Sequence, residues 1–325
     1  MRHTADSTFD MATPLHLGMT PWSLRDTHTA QELGRQAHLG ESWGYQSFWL
    51  PEHHFTRGSA IPDPLLLLAS VAALTTDIRL GTTSYLLPLR QPVLAAEQVA
   101  VLDQLSAGRL TLGIGRGYAP QLFDTFGVDR SRKRMLLKHC LDVMKQAWSG
   151  DSVGDGETKT AIAPLPYQQP HPPIWVAAFG PLALKQAGSL GCPYLASPME
   201  TIERLRSNLE IHNKACRDAE LEVPEEVPIM RTMYCSEDVK QIAEVRKRLE
   251  SESVNAVRGE DAAQKVTAID EWSIVGEPSF VRDSVNRYQE ELGVTHVVVT
   301  RLRIGGLPRA NLEKSVALVA ETLGT

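Results

Sequence analysis

Along most of this chain, short runs of apolar residues alternate with longer stretches in which apolar positions recur at helical spacing. Residues 15–20 predict a first strand, and residues 29–43 a helix that ends near Gly44. Residues 47–50 predict a second strand. Asp63-Pro64 then opens a helix over 65–75, with Asp suited to the N-cap and Pro to the first turn. Strand three is expected over 78–84. Gln91-Pro92 opens a helix to Leu105, and Gly108 suits its C-terminal end. Residues 109–113 predict strand four and 131–148 a long helix. After a Pro-rich segment (164–173), strands over 174–178, 194–196 and 228–235 alternate with helices over 181–190, 198–218 and 237–251. Residues 252–276 read as polar and irregular. A helix over 278–292, an eighth strand over 296–300 and a helix over 312–323 close the chain. Eight strands separated by helices predict an α/β fold: a single (β/α)8 TIM barrel over residues 1–325, with an irregular insertion between strands 7 and 8.

Composition narrows the class. The chain is 42% hydrophobic and 22% charged, and its net charge of −6 comes without a basic block. Nucleic-acid binding needs clustered positive charge and is not expected. The four cysteines stand far apart with no CxxC pair, which predicts reduced thiols and a cytoplasmic protein. The first residues lack the apolar core of a signal peptide. The longest apolar run, 65–74, is about half of the ~20 residues a membrane helix requires, so no membrane partner is expected.

The candidate chemistry lies at the carboxyl ends of the predicted strands, where α/β proteins bind ligands. Glu52-His53-His54-Phe55 follows strand two, and an imidazole there is suited to proton transfer near neutrality. Adjacent residues in an extended segment face opposite sides, so at most one histidine faces a barrel mouth and no metal site is expected. The pair reads equally well as two surface histidines. Gly81-Thr82-Thr83-Ser84 ends strand three, where small residues let a flat ligand approach the backbone, or simply end the strand. Gly113-Ile114-Gly115-Arg116-Gly117 departs from the dinucleotide fingerprint GxGxxG, but Arg116 is placed to bind a phosphate or to pair with a surface carboxylate. Trp22, Trp175 and Phe179 at strand ends either line a pocket or fill the core.

Together these segments resemble the bacterial luciferase-like flavin monooxygenase family. The likeness is dense from Phe48-Trp49-Leu50-Pro51-Glu52-His53-His54-Phe55 through Leu102-Asp103-Gln104-Leu105-Ser106-Ala107-Gly108-Arg109 to Gly117, and looser beyond. The resemblance implies a TIM barrel that takes reduced FMN from a separate flavin reductase. Molecular oxygen would add to the flavin, giving a flavin peroxide that oxygenates a small organic substrate. It assigns proton transfer to His53, with His54 turning away or supporting the loop. It places a non-proline cis peptide at Thr83-Ser84 under the flavin ring and assigns the FMN phosphate to Arg116. It also implies a homodimer through the early helices. Two departures stand out. The family's reactive cysteine corresponds to Gly115, and the Glu-Ser pair that helps hold phosphate corresponds to Phe179-Gly180, leaving main-chain amides around Gly180. Residues 252–276 correspond to a mobile loop that would exclude water as a lid. Two other readings stay open: a deazaflavin-dependent oxidoreductase and a non-catalytic barrel subunit.

Overall fold

A computed structural model describes residues 14–24, 30–55, 60–154, 158–253, 268–301, 304 and 306–324. The chain runs through β1 (His16–Met19), α1 (Ala30–Ser42), β2 (Ser47–Leu50), α2 (Pro64–Ala72), β3 (Arg79–Thr82), β4 (Tyr85–Leu86) and α3 (Pro92–Leu105). It continues through β5 (Leu110–Gly115), α4 (Pro120–Thr125), α5 (Lys133–Trp148), β6 (Ile174–Ala177), α6 (Pro181–Ser189) and β7 (Tyr194–Leu195). The last part holds α7 (Ile202–Asp218), β8 (Pro228–Cys235), α8 (Val239–Ser253), β9 (Ser273–Gly276), α9 (Pro278–Leu292), β10 (His296–Thr300) and α10 (Arg309–Leu323). Helix starts follow their local chemistry. The Asp63 carboxylate accepts from Leu66 N at 3.0 Å, and the Gln91 side chain from Leu94 N at 2.6 Å, each followed by proline.

The strands form one curled parallel sheet in the order β7-β6-β5-β3-β2-β1-β10-β8-β9, with β4 beside β5. One residue past β7, Ala196 bridges to β8: its N–H donates to Pro228 O and its C=O accepts from Met230 N, both at 3.2 Å. Because side chains alternate across a strand, the two faces carry different cores. Leu17, Phe48, Leu80, Leu112 and Val297 join the large cluster packed under the helices. Trp49, Trp175, Leu195 and Val298 form a small separate cluster on the concave face. There the Trp49 and Trp175 rings stack at 4.8 Å. A Cβ on Gly81 would collide with the Trp49 ring, so this glycine makes room for an indole and not for a ligand. Trp22 and Trp175 are likewise core residues, whereas Phe179 is 57% exposed.

The structure corrects two sequence expectations. Strand three ends at Thr82; a cis peptide at Thr83-Ser84 interrupts it, and the chain resumes as β4 against Ile114 and Gly115. The insertion before strand eight is not irregular throughout: after a 3-10 turn at Ile269–Glu271, β9 pairs with Thr232–Cys235 and leads straight into α9. Its four residues are all buried, because Ile274 and Val275 are apolar enough to seat a short strand. Residues 254–267, the rest of the expected lid, lie outside the described residues.

Candidate active site

The loop after β2 is organised by Glu52, which the sequence reading left without a role. Its side chain is fully buried. One oxygen meets Arg90 Nη2 at 2.6 Å and His54 Nε2 at 2.7 Å, and the other accepts from Leu86 N at 2.9 Å. A carboxylate so deep in the protein persists where charged and hydrogen-bonding partners replace water. Arg90 also stacks over the Tyr85 ring at 4.4 Å. Of the two expectations for His54, the structure shows loop support: its ring is bonded to Glu52 and lies edge-on to Phe126 at 5.0 Å. His53 is an exposed residue whose main chain forms both hydrogen bonds of a bridge with Ile61, each at 2.9 Å. Partial desolvation lowers the His53 pKa below the ordinary histidine value; the neighbouring His54 adds to this and Glu52 opposes it.

The β3 end sits beside this loop. Thr83 N donates to Leu50 O at 2.8 Å, and Thr82 Oγ1 donates to Gly113 O at 2.7 Å, which ties β2, β3 and β5 together here. The Thr83 hydroxyl is buried without a hydrogen-bond partner, the kind of orphan that a bound ligand satisfies. Ser84 fills the space beside Gly115: a Cβ at Gly115 would fall inside contact distance of Ser84 Oγ.

Beyond β5, half-buried Arg116 forms no ion pair among the described residues. Burial lowers its pKa, and Arg134 lowers it further. Lys133 is lowered in the same way, by burial and then by Arg116 and Arg130. Lys133 and Arg134 therefore each lie within electrostatic reach of Arg116. The sequence reading singled out Arg116 without its neighbours, since Lys133 and Arg134 come from α5, beyond α4. Gly180 caps α6 with φ 89° and contributes no side chain. Gln186 Nε2 of α6 donates to Arg134 O at 2.8 Å, fastening α6 to the first turn of α5. Among the described residues, no group of three or more His, Cys, Asp or Glu is placed to hold a metal ion, and no helix is long and apolar enough to cross a membrane. All four cysteines are free and buried.

Comparison with known proteins follows the same lines. The oxygenase component of a flavin-dependent trigonelline monooxygenase from Acinetobacter baylyi is 33% identical over 218 residues, covering 63% of this chain and 59% of that protein. The chain spans about three-fifths of the length of the curated relatives it matches. Among solved structures, the oxygenating constituent of 3,6-diketocamphane monooxygenase from Pseudomonas putida, in complex with FMN, shares the fold with a TM-score of 0.79 at 19% identity, over 95% of this chain and 97% of that one. The coenzyme F420-dependent tetrahydromethanopterin reductase of Methanopyrus kandleri does so with a TM-score of 0.70 at 20% identity, over 95% and 98%. The luciferase-like monooxygenase model matches residues 9–296, and the chain belongs to that family.

Proposed function

We propose that this chain is the oxygenase component of a two-component system, which uses reduced FMN from a separate flavin reductase and molecular oxygen to oxygenate a small organic substrate. The observation that carries the reading is Arg116, half-buried beside Lys133 and Arg134 with no carboxylate partner. An anion belongs there, and a phosphorylated flavin fits. Its phosphate would be held by Arg116, with Arg134, Lys133 and the main chain at Gly180 contributing. Its ring would lie over Thr83 and Ser84, where the orphaned Thr83 hydroxyl gains a partner. When bound, reduced FMN supplies the two electrons that let one atom of O₂ enter the substrate while the other leaves as water. His53, with its lowered pKa, is neutral at pH 7 and accepts or returns a proton at its imidazole nitrogen.

The same reading includes the architecture. The Ala196 bridge between β7 and β8 supports closure of the sheet into a (β/α)8 barrel as one domain. The outward leucines Leu66, Leu94 and Leu105, 71%, 52% and 60% exposed on α2 and α3, support a homodimer through these early helices. A deazaflavin-dependent oxidoreductase is the second reading, since an unpaired cation cluster also suits that cofactor's phosphate. The deciding experiment titrates the apo-protein with FMN and with the deazaflavin, then follows oxygen uptake with reduced FMN across a substrate panel, with product masses. FMN binding and substrate-dependent uptake with a gain of one oxygen atom are expected. Deazaflavin binding without FMN binding shifts the assignment to the second reading, and binding of neither leaves a non-catalytic barrel.

A further inference from the structure

The Glu52 carboxylate connects segments that are distant in sequence and adjacent at the site. One of its bonds goes to His54, next to the proton-handling His53, and another to Leu86 N, two residues beyond Ser84. Arg90 supplies the third, from the turn before α3. Both oxygens are already acceptors, and a carboxylate has no hydrogen to give, so His54 Nε2 is the donor and a neutral ring carries its hydrogen on that nitrogen. Carboxylates that fix an imidazole's tautomer and angle in this way are a recurrent means of orienting histidine. The arrangement is fully buried at Glu52 and only 8% exposed at the His54 side chain, so water cannot stand in for either partner.

We propose that Glu52 is the positioning residue of this site: held by Arg90, it locks the His54 imidazole with its hydrogen on Nε2 and holds the histidine loop and the Thr83-Ser84 floor as one unit. This rests on the flavin reading for its catalytic consequence, though not for its geometry. The charged groups acting on His53 are His54 and Glu52 from its own loop, with Arg90 behind Glu52.

The test uses the full chain with histidine labelled in nitrogen-15. In the wild type, His54, assigned by its loss in His54→Gln, shows a protected Nε2-bound hydrogen and, while its ring is neutral, a single tautomer. Glu52→Gln loses both, and Glu52→Asp recovers them in part. With reduced FMN bound, Glu52→Gln lowers kcat roughly 10- to 100-fold while raising the FMN Kd less than about fivefold, because misorientation costs rate more than binding. The acidic limb of its pH–rate profile also moves. Combined with His54→Gln, the Glu52→Gln change adds less than about twofold, as expected for residues acting as one unit. An unchanged His54 signal in Glu52→Gln, or independent, multiplying losses in the double variant, overturns the proposal. If Glu52→Gln does not fold, Arg90→Lys carries the same decision: His54 protection must weaken and kcat must fall between wild type and His54→Gln, and wild-type values for both overturn it. If the wild type neither binds FMN nor consumes oxygen, the flavin reading fails, while the nuclear magnetic resonance arm still decides the positioning role.

Discussion

Two glutamates follow strand ends and are buried, Glu52 after β2 and Glu200 after β7, yet their surroundings differ in kind. Glu52 touches a guanidinium and an imidazole. Glu200 is surrounded in direct contact by uncharged donors: Tyr194 OH at 2.6 Å, Asn208 Nδ2 at 2.6 Å and Ser197 N at 2.8 Å. Arg231 is near enough to act on Glu200 through its field, but its own bonds go to the Ser197 and Met230 carbonyls. Burial prevails, and the Glu200 pKa is raised from 4.5 to about 7. Neutral hydrogen bonds therefore offset the burial of a carboxyl group only in part. A cation in direct contact does something further at Glu52, since it joins loops that are remote in sequence. Those are the loops that carry the candidate site.

The largest expected break in this comparison is Arg90→Met. It leaves Glu52 buried without its guanidinium and should cost about 3–5 kcal/mol in denaturant unfolding. Next is the pH dependence of stability. Glu200 has a raised folded pKa, so its contribution is full below 4.5 and is lost as pH rises through about 7, for a total of roughly 3 kcal/mol. His296, stacked on His16 at 4.5 Å beneath the Trp175 edge, is lowered from 6.5 to about 4 by burial and then by His16 and Arg79. Its contribution is full above 6.5 and is lost as pH falls through about 4. The two slopes oppose each other between 4.5 and 6.5. In unfolding midpoints measured across this window, Glu200→Gln should expose stability rising with pH and His296→Gln stability falling with pH.

Arg116 sharpens the contrast with Arg90, because one guanidinium has its anion built into the protein and the other does not. Arg116→Ala should move unfolding by less than about 0.5 kcal/mol while weakening FMN binding about 10- to 100-fold, as read by flavin fluorescence. An unchanged FMN affinity would remove the phosphate role. The last test of the comparison is at Gly115. Gly115→Cys should cost about 1–3 kcal/mol by overpacking against Ser84, and adding Ser84→Ala should recover most of it.

How much of this was legible in the chain depends on the range of the interaction. β8 at Pro228–Cys235 and β10 at His296–Thr300 lie where the apolar runs place them, and the Asp63 and Gln91 caps follow from residues three apart. The cis peptide at Thr83-Ser84 was legible through family resemblance and not through residue pattern. β9 was hidden because four residues beside a polar stretch carry too little periodicity to stand out. Glu52 was in view within its motif, but its partners Leu86 and Arg90 lie 34 and 38 residues away, and nothing local marks such a pairing.

By itself, then, the amino-acid sequence determined the alternation of strands and helices, the family, and which loops bear histidine, small residues and Arg116, because these depend on near neighbours and short motifs. Only the tertiary structure decided that Gly81 serves an indole, that Lys133 and Arg134 join Arg116, and that Glu52 holds His54 and the strand-three loop together. Each of these relates residues on different elements, which come within reach of one another only once those elements have packed.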